Sequence, residues 1–156
     1  MTGTKVSRFL ADAEQTDALG AWFAARLSAG DTVLLSGPVG AAKSHFARAL
    51  IRARLGRMED VPSPSFTLVQ VYEADVEIWH ADLYRLSHPD EVLELGLADA
   101  FATAICLIEW PDRLGRLTPR DPLRVDLAVE DDGRRAEIDF GTRGALQAAF
   151  LRDWPQ

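Results

Sequence analysis

Residues 37–44 read Gly37-Pro38-Val39-Gly40-Ala41-Ala42-Lys43-Ser44. They follow a short apolar run, Thr32 to Ser36, that is typical of a buried strand. They lead into a helical pattern from Lys43 to Leu55, which Gly56 closes. The segment differs at one position from the phosphate-binding loop G-x-x-x-x-G-K-[ST]. A strand, a glycine loop and a helix in this order predict a P-loop that binds the phosphates of ATP.

Each part of such a loop has a chemical task. Backbone N–H groups and the helix N-terminus face the phosphates, and the lysine, here Lys43, reaches the terminal ones. The hydroxyl that follows, here Ser44, binds Mg²⁺. Ala42 stands where the pattern has glycine, and a left-handed backbone there would cost about 1–2 kcal/mol. We therefore expect weakened ATP binding, the alternative being an ordinary turn between a strand and a helix.

Two acidic residues follow predicted strands and are candidates for the same site. Glu109 closes the apolar run Ile105 to Ile108, where a carboxylate would face the ligand crevice of an open α/β sheet and hold Mg²⁺. Asp82 follows the strand that ends at His80 and is placed to orient an attacking water. The competing interpretations are a solvated strand-end glutamate and a turn or capping aspartate.

Other side chains near these segments allow two interpretations each. The hydroxyls of Ser63 to Thr67 suit a switch segment near a γ-phosphate or a plain loop. Trp110 suits stacking on a base or core packing. Arg85 and Arg113 are candidates for stabilising the charge of the transition state, and the other interpretation is that both are solvated surface residues. His80 is interpreted as a core histidine with a satisfied ring.

The remaining pattern predicts an α/β fold. The predicted strands cover 7–10, 66–73, 76–80, 104–110, 123–129 and 135–140, and the predicted helices cover 19–27, 87–96, 98–101 and 143–154. Gly30 is expected to cap the first helix and Ser87 to cap the second, while Asp131 to Gly133 predicts a hairpin turn. No linker divides the chain, so we expect residues 1–156 to form a single P-loop NTPase-like domain with a central mixed sheet flanked by helices.

The composition describes an acidic chain of 156 residues, 47% of them hydrophobic, with a formal net charge of −7. That length and apolar fraction suffice for one core. A protein that binds nucleic acid directly usually has a cluster of basic residues on its surface. We therefore expect any function on nucleic acid to depend on a partner protein. The lone cysteine, Cys106, lies in an apolar run and is expected in the core. Without a secretory signal or a membrane-spanning run, we expect a cytoplasmic protein.

Several segments together resemble one family, the TsaE or YjeE ATPases. The matching segments are Ser36 to Ser44, Ser63-Pro64-Ser65-Phe66-Thr67-Leu68-Val69, His80-Ala81-Asp82-Leu83-Tyr84-Arg85-Leu86, Glu94-Leu95-Gly96-Leu97 and Leu107-Ile108-Glu109-Trp110, with Thr16 to Gly20 as a shorter match. They occur in the family's order and span residues 16–120. The segments around Asp82 and Glu109 are more diagnostic than the loop, which many families share.

The resemblance implies binding of ATP and Mg²⁺ and weak hydrolysis that is stimulated within a complex. It implies TsaD and TsaB as partners, which carry out the threonylcarbamoyladenosine chemistry on tRNA, so that tRNA is contacted only indirectly. Matching positions assign nucleotide binding to Gly37, Pro38, Val39, Gly40, Ala41, Ala42, Lys43, Ser44, Thr67 and Trp110, hydrolysis to Asp82 and Lys43, and Mg²⁺ to Ser44 and Glu109. This chain departs from the family at Ala42, where the family has glycine, and at Pro38, where an acidic residue is common.

Two other functions fit parts of the sequence. In the first, the protein is a nucleotide-responsive binding module that holds its partners but, because of Ala42, hardly binds or hydrolyses ATP. Alternatively, the loop would serve a small nucleotide kinase, although no arginine-rich lid segment follows the predicted helix from Lys43 to Leu55.

Overall fold

The computed structural model describes residues 3–38, 41–57, 60–62, 64, 68–88 and 90–155. The chain forms strands β1 (Lys5–Leu10), β2 (Thr32–Ser36), β3 (Val69–Glu73), β4 (Glu77–Asp82), β5 (Ile105–Glu109), β6 (Leu123–Glu130) and β7 (Gly133–Asp139). Its α-helices are α1 (Ala13–Ala24), α2 (Lys43–Leu55), α3 (Glu91–Leu95), α4 (Leu97–Thr103) and α5 (Gly144–Asp153), and a 3₁₀ helix covers Pro111–Leu117. Among the described helices, none has the length and apolar character needed to cross a membrane.

The strands form a mixed sheet in the order β1-β7-β6-β2-β5-β4-β3. Strand β2 pairs in parallel with both β5 and β6, and β4 pairs in parallel with β5. The pairings of β1 with β7, β6 with β7 and β3 with β4 are antiparallel. The predicted α/β class, with a central mixed sheet flanked by helices, is confirmed. Parallel pairing also brings the carboxyl ends of β2, β4 and β5 to one edge, where open α/β sheets bind ligands.

Side chains of the central strands alternate between two cores. Val33 of β2 packs with α1, α2 and α5 on one face, whereas Leu34, Cys106 and Ile108 pack with α3 and α4 on the other. Strands buried on both faces appear in a sequence as continuous apolar runs, which explains why β2 and β5 were predictable. Cys106 is fully buried as predicted, and burial raises the pKa of its thiol to about 12.

The first helix is shorter than predicted. It ends at Ala24, so Leu27 lies beyond it, although Leu27 is still buried in the core. Gly30 has a φ of 91° but is not a helix cap. Its N–H donates to the carbonyl of Ala104 over 2.9 Å, so this glycine closes a turn against the segment that precedes β5.

The predicted helix cap at Ser87 is wrong. Helix α3 begins at Glu91, whose carboxylate accepts hydrogen bonds from the backbone N–H groups of Ser87 (3.1 Å) and His88 (3.0 Å). The N–H groups that precede the helix are therefore hydrogen-bonded by the Glu91 side chain from within it. Pro89 lies outside the described residues. The following helix, α4, is longer than the predicted turn at 98–101.

Strand pairing explains the differences in strand length. The register of β1 with β7 runs from Lys5 opposite Asp139 to Leu10 opposite Arg134, which extends β1 to two residues before its predicted start. The predicted hairpin is confirmed, since Glu130 pairs with Gly133 across a two-residue turn. Strand β3 is described from Val69 onwards, β4 from Glu77 to Asp82 and β5 from Ile105 to Glu109.

Candidate functional site

The loop after β2 turns at Gly37, and only glycine fits there. Its φ is 136°, and a β-carbon at this position would lie 2.1 Å from the carbonyl oxygen of Leu127 in β6. Since the overlapping atom belongs to a backbone, no side-chain movement relieves the clash. Val39 and Gly40, further along the predicted loop, lie outside the described residues.

Ala42 directly precedes α2 and has a left-handed backbone, with φ 79° and ψ 22°. This is the backbone conformation for which the sequence predicted a free-energy cost when alanine replaces glycine. A residue with a β-carbon costs about 1–2 kcal/mol in this region. The loop is therefore built with strain at the residue that leads into α2.

Replacing Ala42 by glycine is expected to stabilise the fold and to tighten ATP binding. Relief of about 1–2 kcal/mol exceeds the entropy cost of glycine, about 0.5–1 kcal/mol. The matched control is Ala41→Gly, because the φ of Ala41 is outside the left-handed region and this change should only destabilise. Thermal unfolding and calorimetric titration with ATP measure the two effects, and equal ATP affinity of Ala42→Gly and the wild type would contradict the expectation.

Lys43, the first residue of α2, lies back across the loop. Its side chain is almost fully buried, its ammonium donates to the carbonyl of Gly37, and Nζ lies 3.9 Å from the ring centroid of Trp110. Burial lowers the pKa of Lys43, while the negative charges of Glu109 and Asp82 act to raise it. The described part of the loop thus encloses the positively charged ammonium of Lys43, which favours an anionic ligand.

Ser44 and Glu109 meet at the carboxyl edge of the sheet. The Ser44 hydroxyl donates to the Glu109 carboxylate, with Oγ 3.0 Å from Oε1 and 3.2 Å from Oε2. Glu109 ends β5 and is opposite Leu35 of β2 and Asp82 of β4 in the parallel registers. This register is the reason that two residues 65 positions apart in the chain come into contact.

The donor set of Ser44 and Glu109 fits Mg²⁺. A hydroxyl and a carboxylate are hard oxygen ligands, and Mg²⁺ in nucleotide sites takes one or two protein ligands together with phosphate oxygens and water. In the part of the chain that the structure describes, no group of three or more His, Cys, Asp and Glu side chains is arranged to hold a metal by itself. Two protein oxygen ligands suit a Mg²⁺ ion whose other ligands are phosphate oxygens and water.

Asp82 lies beside Glu109 at the end of β4 and is 8% exposed. One carboxylate oxygen accepts the backbone N–H of Tyr84 over 3.1 Å. Its own backbone N–H donates to the carbonyl of Leu68, the residue before β3, over 2.9 Å. The Tyr84 amide thus holds one oxygen of the Asp82 carboxylate, and the Leu68 carbonyl holds the backbone of the same residue, so Asp82 is fixed beside Glu109 at the carboxyl edge of the sheet.

His80 is a member of the site that the sequence analysis missed. It is fully buried, as expected of a core histidine, but its Nε2 lies 2.7 Å from Oε2 of Glu109. The sequence carried a signal for the face on which His80 lies, although not for its contact with Glu109. His80 stands two residues before Asp82 on one strand, so both side chains point to the same face of the sheet.

Trp110 follows Glu109 with a left-handed backbone, φ 59°. Its ring lies against the ammonium of Lys43 and also against the ring of Tyr84, with ring centroids 4.8 Å apart. Tyr84 is 53% exposed, so the two rings extend from the Lys43 ammonium to the protein surface.

Three other residues are candidates for this site from the sequence. Arg85 and Arg113 are both exposed, and Thr67 lies outside the described residues.

A pocket of about 340 Å³ adjoins the phosphate loop. It lies between the end of β1, the starts of α1 and α2, and the turn that joins β6 to β7. Its walls include Leu10, Thr16, Ala42, His45 and Arg134, and so combine apolar and polar groups. Its volume is in the range of small-molecule sites, and the sequence analysis did not predict it.

Comparisons with known proteins agree on one family. The family model "Threonylcarbamoyl adenosine biosynthesis protein TsaE" matches residues 10–137. The tRNA threonylcarbamoyladenosine biosynthesis protein TsaE of Rickettsia bellii is 38% identical over 123 residues, which are 78% of this chain and 85% of that protein. The protein of the same name from Nostoc sp. is 39% identical over 137 residues, which cover 83% of each chain.

A solved structure has the same fold. The structure described as "Crystal structure of Bacillus subtilus YdiB" matches with a TM-score of 0.80 over 100% of this chain and 99% of that chain. The sequence identity is 24%, so this likeness concerns the fold alone. The segment that the family model matches contains β2, the loop, α2 and the carboxyl ends of β4 and β5.

Proposed function

The chain belongs to the TsaE family, and from this premise we propose that it binds ATP and hydrolyses it slowly with Mg²⁺. Through this activity it would support the threonylcarbamoyladenosine modification of tRNA. The observation that carries the proposal is the contact between Ser44 and Glu109 beside the enclosed ammonium of Lys43. A hydroxyl, a carboxylate and a lysine in this arrangement are the groups a P-loop uses for a nucleotide and its cation.

The phosphates would bind at the amino end of α2. This helix has no acidic residue in its first turn and has Arg52 and Arg54 in its last, so the positive end of its dipole is not neutralised by its own side chains. Lys43 would turn its ammonium from the Gly37 carbonyl towards the terminal phosphates. Adenosine would occupy the adjoining pocket, because Ala42 is shared by that pocket and the loop.

Ser44 and Glu109 would hold Mg²⁺, which would neutralise charge on the β- and γ-phosphates. Asp82 would accept a hydrogen bond from the attacking water and set its direction. Asp82 and Glu109 end adjacent strands in register, so both carboxylates would reach the same end of a bound triphosphate. Thr67 remains a candidate switch residue. Trp110 does not line the pocket proposed for adenosine, so stacking of the base on Trp110 is the alternative placement of the nucleoside.

The modification chemistry itself would belong to the partner proteins TsaD and TsaB. The net charge of −7 disfavours direct binding to tRNA, so we propose that tRNA is contacted only through that complex. We propose the cytoplasm as the location of this activity. The described site supplies groups for phosphate and a cation, which fits a protein that drives a cycle by ATP hydrolysis. The proposed activity is slow ATP hydrolysis by the protein alone and faster hydrolysis in the complex.

The rate of ATP hydrolysis with and without the partners tests this proposal. Turnover should be slow for the protein alone and should rise when TsaD and TsaB are added together, whereas each partner added singly is the control. An unchanged rate with the pair would count against the proposal. If the partners bind equally well without ATP and with Lys43→Ala, the protein is instead a binding module that does not use the nucleotide.

A further inference from the structure

His80 and Glu109 form a buried pair on neighbouring strands. The imidazole is 0% exposed and the Glu109 side chain 3% exposed, and the Nε2 to Oε2 distance is 2.7 Å. A carboxylate accepts hydrogen bonds and donates none, so the hydrogen in this contact lies on Nε2 of His80. Sequence reasoning assigned His80 only to the core, and the proposed function so far gives it no task.

The second ring nitrogen supports the same tautomer. Among the residues that the structure describes, Nδ1 of His80 has no hydrogen-bond partner. A hydrogen on Nδ1 would be a buried donor without an acceptor, which costs about 1–3 kcal/mol. The ring is therefore arranged as an Nε2–H donor aimed at Glu109.

The Glu109 carboxylate is held from two separate elements of the fold. Ser44 in α2 donates to it from one side, and His80 in β4 donates to Oε2 from another. The parallel register sets His80 opposite Leu107, two residues before Glu109, so the imidazole lies beneath the carboxylate on the same face of the sheet. Without His80, Ser44 would be the one remaining side chain among the described residues that donates a hydrogen bond to Glu109.

We propose that His80 is a positioning residue that orients the Glu109 carboxylate for the cation of the bound nucleotide. It touches neither the nucleotide nor the reacting atoms and acts through Glu109. Groups that orient a metal ligand change metal affinity by about 10- to 100-fold when they are removed. The inference rests on the proposed function, because it requires Glu109 to bind Mg²⁺ together with ATP.

Two amide substitutions separate positioning from general support of the core. In His80→Gln the side-chain NH₂ reaches about as far as Nε2 of the imidazole, whereas in His80→Asn it ends near the place of Nδ1 and falls short of Glu109. Both variants bury the same polar group in the same core. Calorimetry would measure the affinity for a non-hydrolysable ATP analogue with and without Mg²⁺, and thermal unfolding would measure stability.

The gain in affinity from Mg²⁺ should fall by about 10-fold or more in His80→Asn and should largely persist in His80→Gln. Affinity for the analogue without Mg²⁺ should be the same in both. Equal gains from Mg²⁺ in the two variants would overturn the positioning role, and so would a loss that follows thermal stability. A wild-type protein that gains nothing from Mg²⁺ would instead overturn the proposed function.

A measurement on the unmodified protein covers the case in which the variants do not fold. The chain has three histidines, so their ring nitrogens can be assigned in long-range ¹H–¹⁵N NMR spectra. His80 should appear as a fixed Nε2–H tautomer. An Nδ1–H tautomer, or a ring averaged between the two, would overturn the proposal.

Discussion

Alanine in place of Lys43 is expected to weaken ATP binding by roughly 10- to 150-fold, since a hydrogen bond to a charged group contributes about 1.5–3 kcal/mol. The ammonium already lies within the loop, where it donates to the carbonyl of Gly37. Alanine is the best helix former, so α2 should still begin at this position. Hydrolysis should fall with binding, because the same ammonium would reach the terminal phosphates.

The chain offers a matched control for this substitution. Lys5 is the only other lysine in the sequence, and its side chain is 65% exposed on β1, where it pairs with Glu137 over 3.7 Å. Surface pairs of this kind contribute about 0–1 kcal/mol, so Lys5→Ala should leave ATP affinity unchanged. Calorimetry on both variants, with thermal unfolding to verify the fold, makes the comparison. Wild-type affinity in Lys43→Ala would mean that the loop is not the phosphate site.

The parts of the site that could be predicted are those that lie close together in the sequence. The β2 strand, the residue types of the loop and the start of α2 at Lys43 follow from one continuous segment, and the structure has the same strand and helix boundaries. The left-handed backbone at Ala42 also follows from that segment, because the pattern calls for glycine there. Local signals of this kind depend on backbone preferences that need no knowledge of the fold.

The parts that could not be predicted depend on pairing between distant strands. His80 and Glu109 are 29 positions apart, and their contact exists because β4 and β5 pair in parallel in one particular register. The pocket beside the loop combines the β1–α1 region with Arg134 in β7, which are joined by the sheet and not by the sequence. The cap at Ser87 failed for a different reason, since the competing acceptor, Glu91, was itself in the predicted helix.

Glutamine in place of Glu109 is expected to lower ATP hydrolysis by roughly 100-fold, the upper end of the losses seen when a group that supports a bound metal is removed. The change keeps the size of the side chain, and the amide oxygen can still accept a hydrogen bond from Ser44 or His80. What is lost is one negative charge, together with the carboxylate ligand for Mg²⁺. The enhancement of nucleotide affinity by Mg²⁺ should therefore disappear along with the activity.

Binding without Mg²⁺ distinguishes this loss from that of Lys43. Removing a negative charge next to the triphosphate should leave Mg²⁺-free affinity unchanged or slightly increased, whereas Lys43→Ala should weaken it, so only Lys43→Ala is expected to lose affinity in the absence of Mg²⁺. Glu73→Gln is the matched control, because this exposed residue makes the same charge change at the opposite end of β3 and β4. If Glu109→Gln instead weakens Mg²⁺-free binding as Lys43→Ala does, then Glu109 maintains the loop itself and the assignment of the cation to Ser44 and Glu109 fails.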